Sequence, residues 1–222
     1  MLHRNQASTM LELQAGMNHR VDPEWVRAAY PYLRAVLIEA AEAMEHHGWK
    51  WWKHQECDRE QLQMELVDIW HFMLSDLLLT HQGEHEPSLD ALLQEAKGTA
   101  ESNIRFDEHN YQPGQMTLLD KLQLLAATAA AGRNEIGLFA SIMADCEMDW
   151  NELYRQYTGK NVLNFFRQDN GYKEGHYRKH WAGQEDNEHL VDIMAELDPA
   201  RADFKDRLYA ALQARYLEEH TA

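Results

Sequence analysis

Apolar residues recur at spacings of three and four along most of this chain, and the two-residue alternation of a half-buried strand is almost absent, so the pattern predicts helices from end to end. A first helix is expected over Gln6 to His19. Asp22 reads as an N-cap with Pro23 at the first helical position, opening a second helix that runs to about His47 and stops at Gly48. A loop rich in Trp and Lys follows, from Trp49 to about Asp58, and then a third helix from about Arg59 to His81. Ser88 reads as the cap of a fourth helix ending near His109, and Pro113-Gly114 marks the clearest break. Thr117 and Asn134 read as caps of two more helices, and Asp149 as the start of another that reaches about Asp169. Asn170 to Asp186 is expected to be irregular, and Asp198-Pro199 to open a last amphipathic helix to about Glu219. There is no internal repeat. The expectation is an all-α helical bundle without significant sheet, one domain over 1–222 with its core at about 6–186 and a helical extension at about 187–222.

Two of these helices carry acids where acids are costly. Leu33 to Met44 is apolar at almost every angular position, which predicts burial on most sides, yet it holds Glu39 and Glu42 three residues apart on one face. Leu62 to Leu79 repeats the pattern, with twelve of eighteen residues apolar, and holds Glu65 and Asp68 at the same spacing. A single ExxE reads as a solvated helix face. Two such pairs on two apolar helices call for partners, because a carboxylate in an apolar site costs several kcal/mol unless paired or metal-bound. Neither helix supplies a Lys or Arg on that face, so a cation among the four is the better reading, and all-oxygen ligands suit Mg²⁺ or Mn²⁺ rather than zinc. A redox di-iron centre stays open as an alternative, since His71 follows Asp68 by three residues and such bundles use Glu-x-x-His pairs.

Charge narrows the partners. With 222 residues and a formal net charge of −16, the chain would be repelled by a nucleic-acid duplex. Arg155 to Trp181 runs against this balance, with six basic residues to two acids, enough for a local anion site though equally an ordinary charged face. The acids that interrupt Leu62 to Leu79 rule it out as a membrane span. Cys57 and Cys146 form no CxxC and fit a reducing compartment, and the polar start shows no signal peptide, so a cytoplasmic protein is expected.

The residues Glu39–Glu42, the segment HHGWKWWK (His46 to Lys53), ELVDIWHFMLS (Glu65 to Ser75) and YTGKNVLNFFRQDNGYKEGHYRKHW (Tyr157 to Trp181) together resemble the dimeric all-α dUTPases, within the MazG-like all-α NTP pyrophosphohydrolases. The likeness covers roughly Leu11 to Asp186, and its last run is the most specific part. It implies Mg²⁺-dependent hydrolysis of dUTP, and of dUDP, to dUMP by a homodimer. It assigns Glu39, Glu42, Glu65 and Asp68 to the metal, with one of Glu39 and Glu42, preferably Glu42, as general base. It places Gln14 and Asn18 on the uracil edge, two amides one helical turn apart that can donate and accept. His71 and either Trp51 or Trp52 fall near base and sugar, the indole as a stacking surface. Lys160, Asn164, Arg167, Tyr172, Lys173 and Lys179 make the phosphate arm, which Gly171 and Gly175 allow to bend. Two other readings remain: the same chemistry on dCTP or another noncanonical nucleotide, and a nucleotide-binding helical protein without catalysis.

Overall fold

The computed structural model describes residues 1–97, 103–198, 201 and 203–220, the side chains of 218–220 excepted. The chain forms two compact units, Met1–Tyr154 and Arg155–Ala222.

The first unit is helical, as the apolar spacing requires. It contains α1 (Arg4–Val21), the single turn α2 (Trp25–Ala28), α3 (Tyr32–His47), α4 (Arg59–Thr80), α5 (His85–Glu95), α6 (Leu118–Ala130), α7 (Ile136–Asp145) and the first turn of α8 (Trp150–Asp169). Helix α4 is the central element: Leu62, Leu66, Ile69, Trp70, Met73 and Leu74 have essentially no exposed surface. The Trp70 ring stacks on Phe139 with centroids 5.1 Å apart and donates its N–H to Met10 Sδ at 3.3 Å, which ties α7 and α1 to α4. Helix α3 lies against α4 and α6 through Leu33, Val36, Ala40 and Ala43. Its other face is open, with Ile38 49% exposed and Glu42 exposed, so α3 is buried on one side rather than on most sides.

Several caps lie where the sequence puts them. Thr117 accepts from the Asp120 amide at 3.2 Å, and Asp149 accepts from the amides of Asn151 and Glu152 at 2.9 and 2.8 Å. Four expectations need correction. The helix expected from Asp22 to His47 is broken after one turn, because Ala29 adopts a left-handed φ of 51° and Pro31 brings no N–H. Asp22 instead accepts from the Glu24 amide and from the Tyr30 hydroxyl at 2.6 Å. Ser88 lies inside α5 and donates back to the Glu84 carbonyl at 2.7 Å. That helix ends at Glu95; residues 98–102 lie outside the described residues, and beyond them a hairpin pairs β1 (Ile104–Phe106) with β2 (His109–Tyr111). Its turn residues Asp107 and Glu108 both have positive φ, the two-residue geometry that matches strand twist. Finally, Asn134 does not cap α7; its amide donates to the Met73 carbonyl at 2.9 Å and to Asp76 at 3.0 Å.

The second unit comprises the rest of α8, a minimal hairpin of β3 (His180–Trp181) and β4 (Gln184–Glu185), α9 (Asp186–Glu196) and α10 (Phe204–His220). Its core gathers Phe166, Trp181, Leu190, Ile193, Leu208 and Leu212. His189 stacks on Trp181 at 4.8 Å, and Tyr216 meets the same indole edge-on at 4.8 Å. The Met194 thioether on α9 packs directly against Gly159, where a Cβ would force that flexible side chain to shift. Helix α9 carries a capping box, Glu185 with Glu188, and falls within the helical extension expected from about 187, where the sequence reading placed no separate helix. The last helix begins at Phe204, later than Asp198, and Pro199 lies outside the described residues.

Candidate active site

Helices α3 and α4 pack side by side, and this brings their acids together. One carboxylate oxygen from each of Glu39, Glu42 and Glu65 lies within 4.8 Å of the others. Asp68 acts on the same group through its charge. Burial first, then the charges of Asp68, Glu65 and Glu42, push the Glu39 carboxyl up to about 7. The cluster is less hidden than the helix pattern predicts: Glu65 is buried, Glu39 and Asp68 are half-buried, and Glu42 is exposed. The exposure of Glu42 follows from the open face of α3. His46 Nε2 stands 3.3 Å from Glu65 Oε1, a neighbour that sequence spacing did not single out. An all-oxygen donor set whose own charges hold a proton near neutrality suits a hard divalent cation. His71 is not among the residues whose ligand atoms meet there, and its Nδ1 bonds Gln14 Oε1 at 2.8 Å, so the Glu-x-x-His arrangement of a di-iron centre is not formed among the described residues.

Behind the acids, α1 and α4 share a buried polar network. Gln14 Nε2 donates to Asn18 Oδ1 at 3.0 Å and to Ser75 Oγ at 2.8 Å. Ser75 Oγ also lies 3.1 Å from Asn18 Oδ1 and 2.9 Å from the His71 carbonyl, the i−4 position on its own helix. Gln14, Asn18, His71 and Ser75 are all under 8% exposed, whereas Asn18 Nδ2 is buried without a hydrogen-bond partner. Ser75 was not singled out from the sequence; its signal is the spacing Asp68–His71–Ser75, which continues one face of α4.

The aromatic loop between α3 and α4 is closed at its base by the Asp58 amide donating to the His46 carbonyl at 2.8 Å. Asp58 then caps α4 by accepting from the Gln61 amide. Gly48, at φ 88°, lets the chain turn out of α3; a Cβ there would lie 2.9 Å from Gln55 Cβ. Trp51 and Trp52 are 86% and 57% exposed and meet edge-on at 4.5 Å. They are surface rings, not core.

The six arm residues all lie in the second unit. Lys160, Asn164 and Arg167 follow one face of α8, which ends at Asp169, with Gly171 at φ 83° just beyond it. Tyr172, Lys173 and Lys179 are exposed beyond it, with Lys179 Nζ 5.9 Å from the Tyr172 ring centre. Arg167 is not open to solvent: Nε and Nη2 donate to the two oxygens of Asp186 at 2.7 and 2.8 Å, and Nη1 donates to Asn164 Oδ1 at 3.2 Å. Burial works against the guanidinium charge, and the Asp186 bonds outweigh it and raise its pKa. Tyr177 donates its hydroxyl to the same carboxylate at 2.9 Å. Asp186, at the edge of the segment expected to be irregular, was missed as a partner.

No helix of the described residues is long and apolar enough to cross a membrane. No curated protein matches the chain. Residues 6–172, three quarters of the chain and every element from α1 through α8, match the family model described as dUTPase. The chain belongs to the dUTPase family and is an enzyme that hydrolyses dUTP.

Proposed function

We propose that this enzyme hydrolyses dUTP, and dUDP, to dUMP with Mg²⁺ as its cofactor, Mn²⁺ serving as a substitute, releasing pyrophosphate or phosphate respectively. The observation that carries the metal is the meeting of Glu39, Glu42 and Glu65, with Asp68 acting on Glu39, in a cluster with no Lys or Arg among its members. Bound there, a divalent ion supplies positive charge to phosphate oxygens and lowers the pKa of a nearby water. Glu39, Glu42, Glu65 and Asp68 hold it. Glu42, the exposed member, is open to water and takes the proton of the attacking water as general base.

Asn18 and Gln14 read the pyrimidine edge, His71 fixes Gln14, and Trp51 or Trp52 offers the ring surface for base and sugar. Lys160, Tyr172, Lys173 and Lys179 serve as phosphate ligands that stabilise charge spreading onto oxygen. Arg167, oriented by Asp186, and Asn164, which accepts from it, complete that phosphate arm. The protein works as a homodimer in the cytoplasm. Incubating the enzyme with dUTP and dUDP, with Mg²⁺ or with chelator, and separating the products tests the core of this reading. Formation of dUMP only with the metal is expected; equal turnover in chelator removes the ion from the mechanism.

A further inference from the structure

We propose that Ser75 is a positioning residue of the base site: it holds the Asn18 amide in the orientation that offers a donor, and so sets preference for a carbonyl-bearing pyrimidine over an amino-bearing one. The proposal rests on the reading of Asn18 as a base ligand, and it adds the device that decides what Asn18 presents. An amide can turn over, exchanging its donor and acceptor ends at little steric cost. Something must therefore fix it.

The hydrogen bonds around Asn18 do so. Both N–H groups of Gln14 are used, one on Asn18 Oδ1 and one on Ser75 Oγ, while its Oε1 takes the ring nitrogen of His71. His71 is thereby the tautomer with hydrogen on Nδ1. Asn18 Oδ1 faces two donors, Gln14 Nε2 and the Ser75 hydroxyl, the latter sharing its single hydrogen with the His71 carbonyl. The remaining group, Nδ2, is buried, unpartnered and pure donor. Turning Asn18 over would set its N–H groups against those of Gln14 unless Gln14 turned as well, and a turned Gln14 would spend only one of its two hydrogens on His71. The serine hydroxyl, accepting from Gln14 and donating toward Asn18, thus belongs to the arrangement that spends every Gln14 hydrogen.

The consequence is chemical selection. At its 4-position uracil carries a carbonyl and cytosine an amino group. A buried donor receives the first, and meets the second as donor against donor in a desolvated setting, where an unmade hydrogen bond is most costly.

The test reads the ratio of the Ki of dCTP, as inhibitor of dUTP hydrolysis, to the KM of dUTP, a measure that needs no turnover of dCTP. Ser75→Ala is expected to lower that ratio about tenfold, the weight of one hydrogen bond, and to act on KM for dUTP more than on kcat. Ser75→Thr, which restores the hydroxyl, is expected to recover most of the loss. Asn18→Asp keeps an oxygen toward Gln14 and Ser75 and replaces the outward donor by a carboxylate oxygen. It should lower the ratio by about a hundredfold or more. If Asn18→Asp collapses the ratio and Ser75→Ala leaves it unchanged, whatever the latter does to melting temperature, Ser75 is structural only and the proposal is overturned while the base-site reading stands. If neither variant moves the ratio, the base-site reading falls and the proposal with it.

Discussion

Glu39 holds the most informative proton in the molecule. Its carboxyl stands at about 7 against an ordinary value of 4.5, through burial and three acidic neighbours. A raised folded-state pKa means that the folded metal-free protein binds more protons than the unfolded chain between those two values. Its contribution to stability is therefore present below about 4.5 and lost as pH rises through about 7. In chelator at pH 8, Glu39→Gln should melt above the parent protein, and the difference should close at pH 4.5. Adding Mg²⁺ at pH 8 should raise the melting temperature of the parent and not of the variant. An unchanged order of melting temperatures in chelator would mean that the acids do not repel as their geometry implies. Glu42 makes a separate prediction: Glu42→Gln should lower kcat by about 10²–10⁴-fold, the span for a general base, with circular dichroism unchanged. Near-normal turnover would remove Glu42 from that role.

At the scale of elements, the ion pair of Arg167 with Asp186 joins the end of α8 to the start of α9 with 1% of the Asp186 side chain exposed. Removing one partner leaves the other charge buried and unmatched, so Asp186→Ala should cost about 3–5 kcal/mol in a urea titration of the second unit. A loss below about 1 kcal/mol, the scale of an exposed pair, would show that water reaches the guanidinium freely. This junction also marks a limit of sequence reading. The family resemblance assigns Arg167 to phosphate, and nothing local in the sequence names its partner Asp186, 19 positions away. The acids of α3 and α4 were legible because spacing of three puts them on one helical face wherever the helices pack. Their degree of burial was not, since it depends on which side of α3 meets α4 and α6. Pro31 was a local signal that outranked the helical pattern around it, while Ser88 resembled a cap only because Pro87 before it already lay within the first turn of α5. Within the expected helical extension, the start of α9 was not marked because its capping residues are Glu rather than Ser, Thr or Asp.

Taken whole, the molecule extends beyond the part the family shares. The matched residues end at 172, while the second unit draws much of its core from α9 and α10. Leu190, Ile193, Phe204, Leu208 and Leu212 would leave with any chain that stopped at residue 186. Burying such side chains contributes about 1.5–3 kcal/mol each, more than a small unit has to spare. A chain ending at residue 186 should thus expose Trp181 to acrylamide quenching and lose near-ultraviolet dichroism. Retained protection of that indole would show that α8 and the hairpin suffice. The net charge of −16 belongs to this scale as well, since it leaves nucleotide capture to local groups rather than to the overall field.

The bond between the Asp58 amide and the His46 carbonyl pins together the two feet of the aromatic loop. What rises between those feet can lengthen, shorten or exchange rings while the helices beneath keep their register. Such a loop is the place to graft a different ring-stacking surface, because its ends stay joined whatever rises between them.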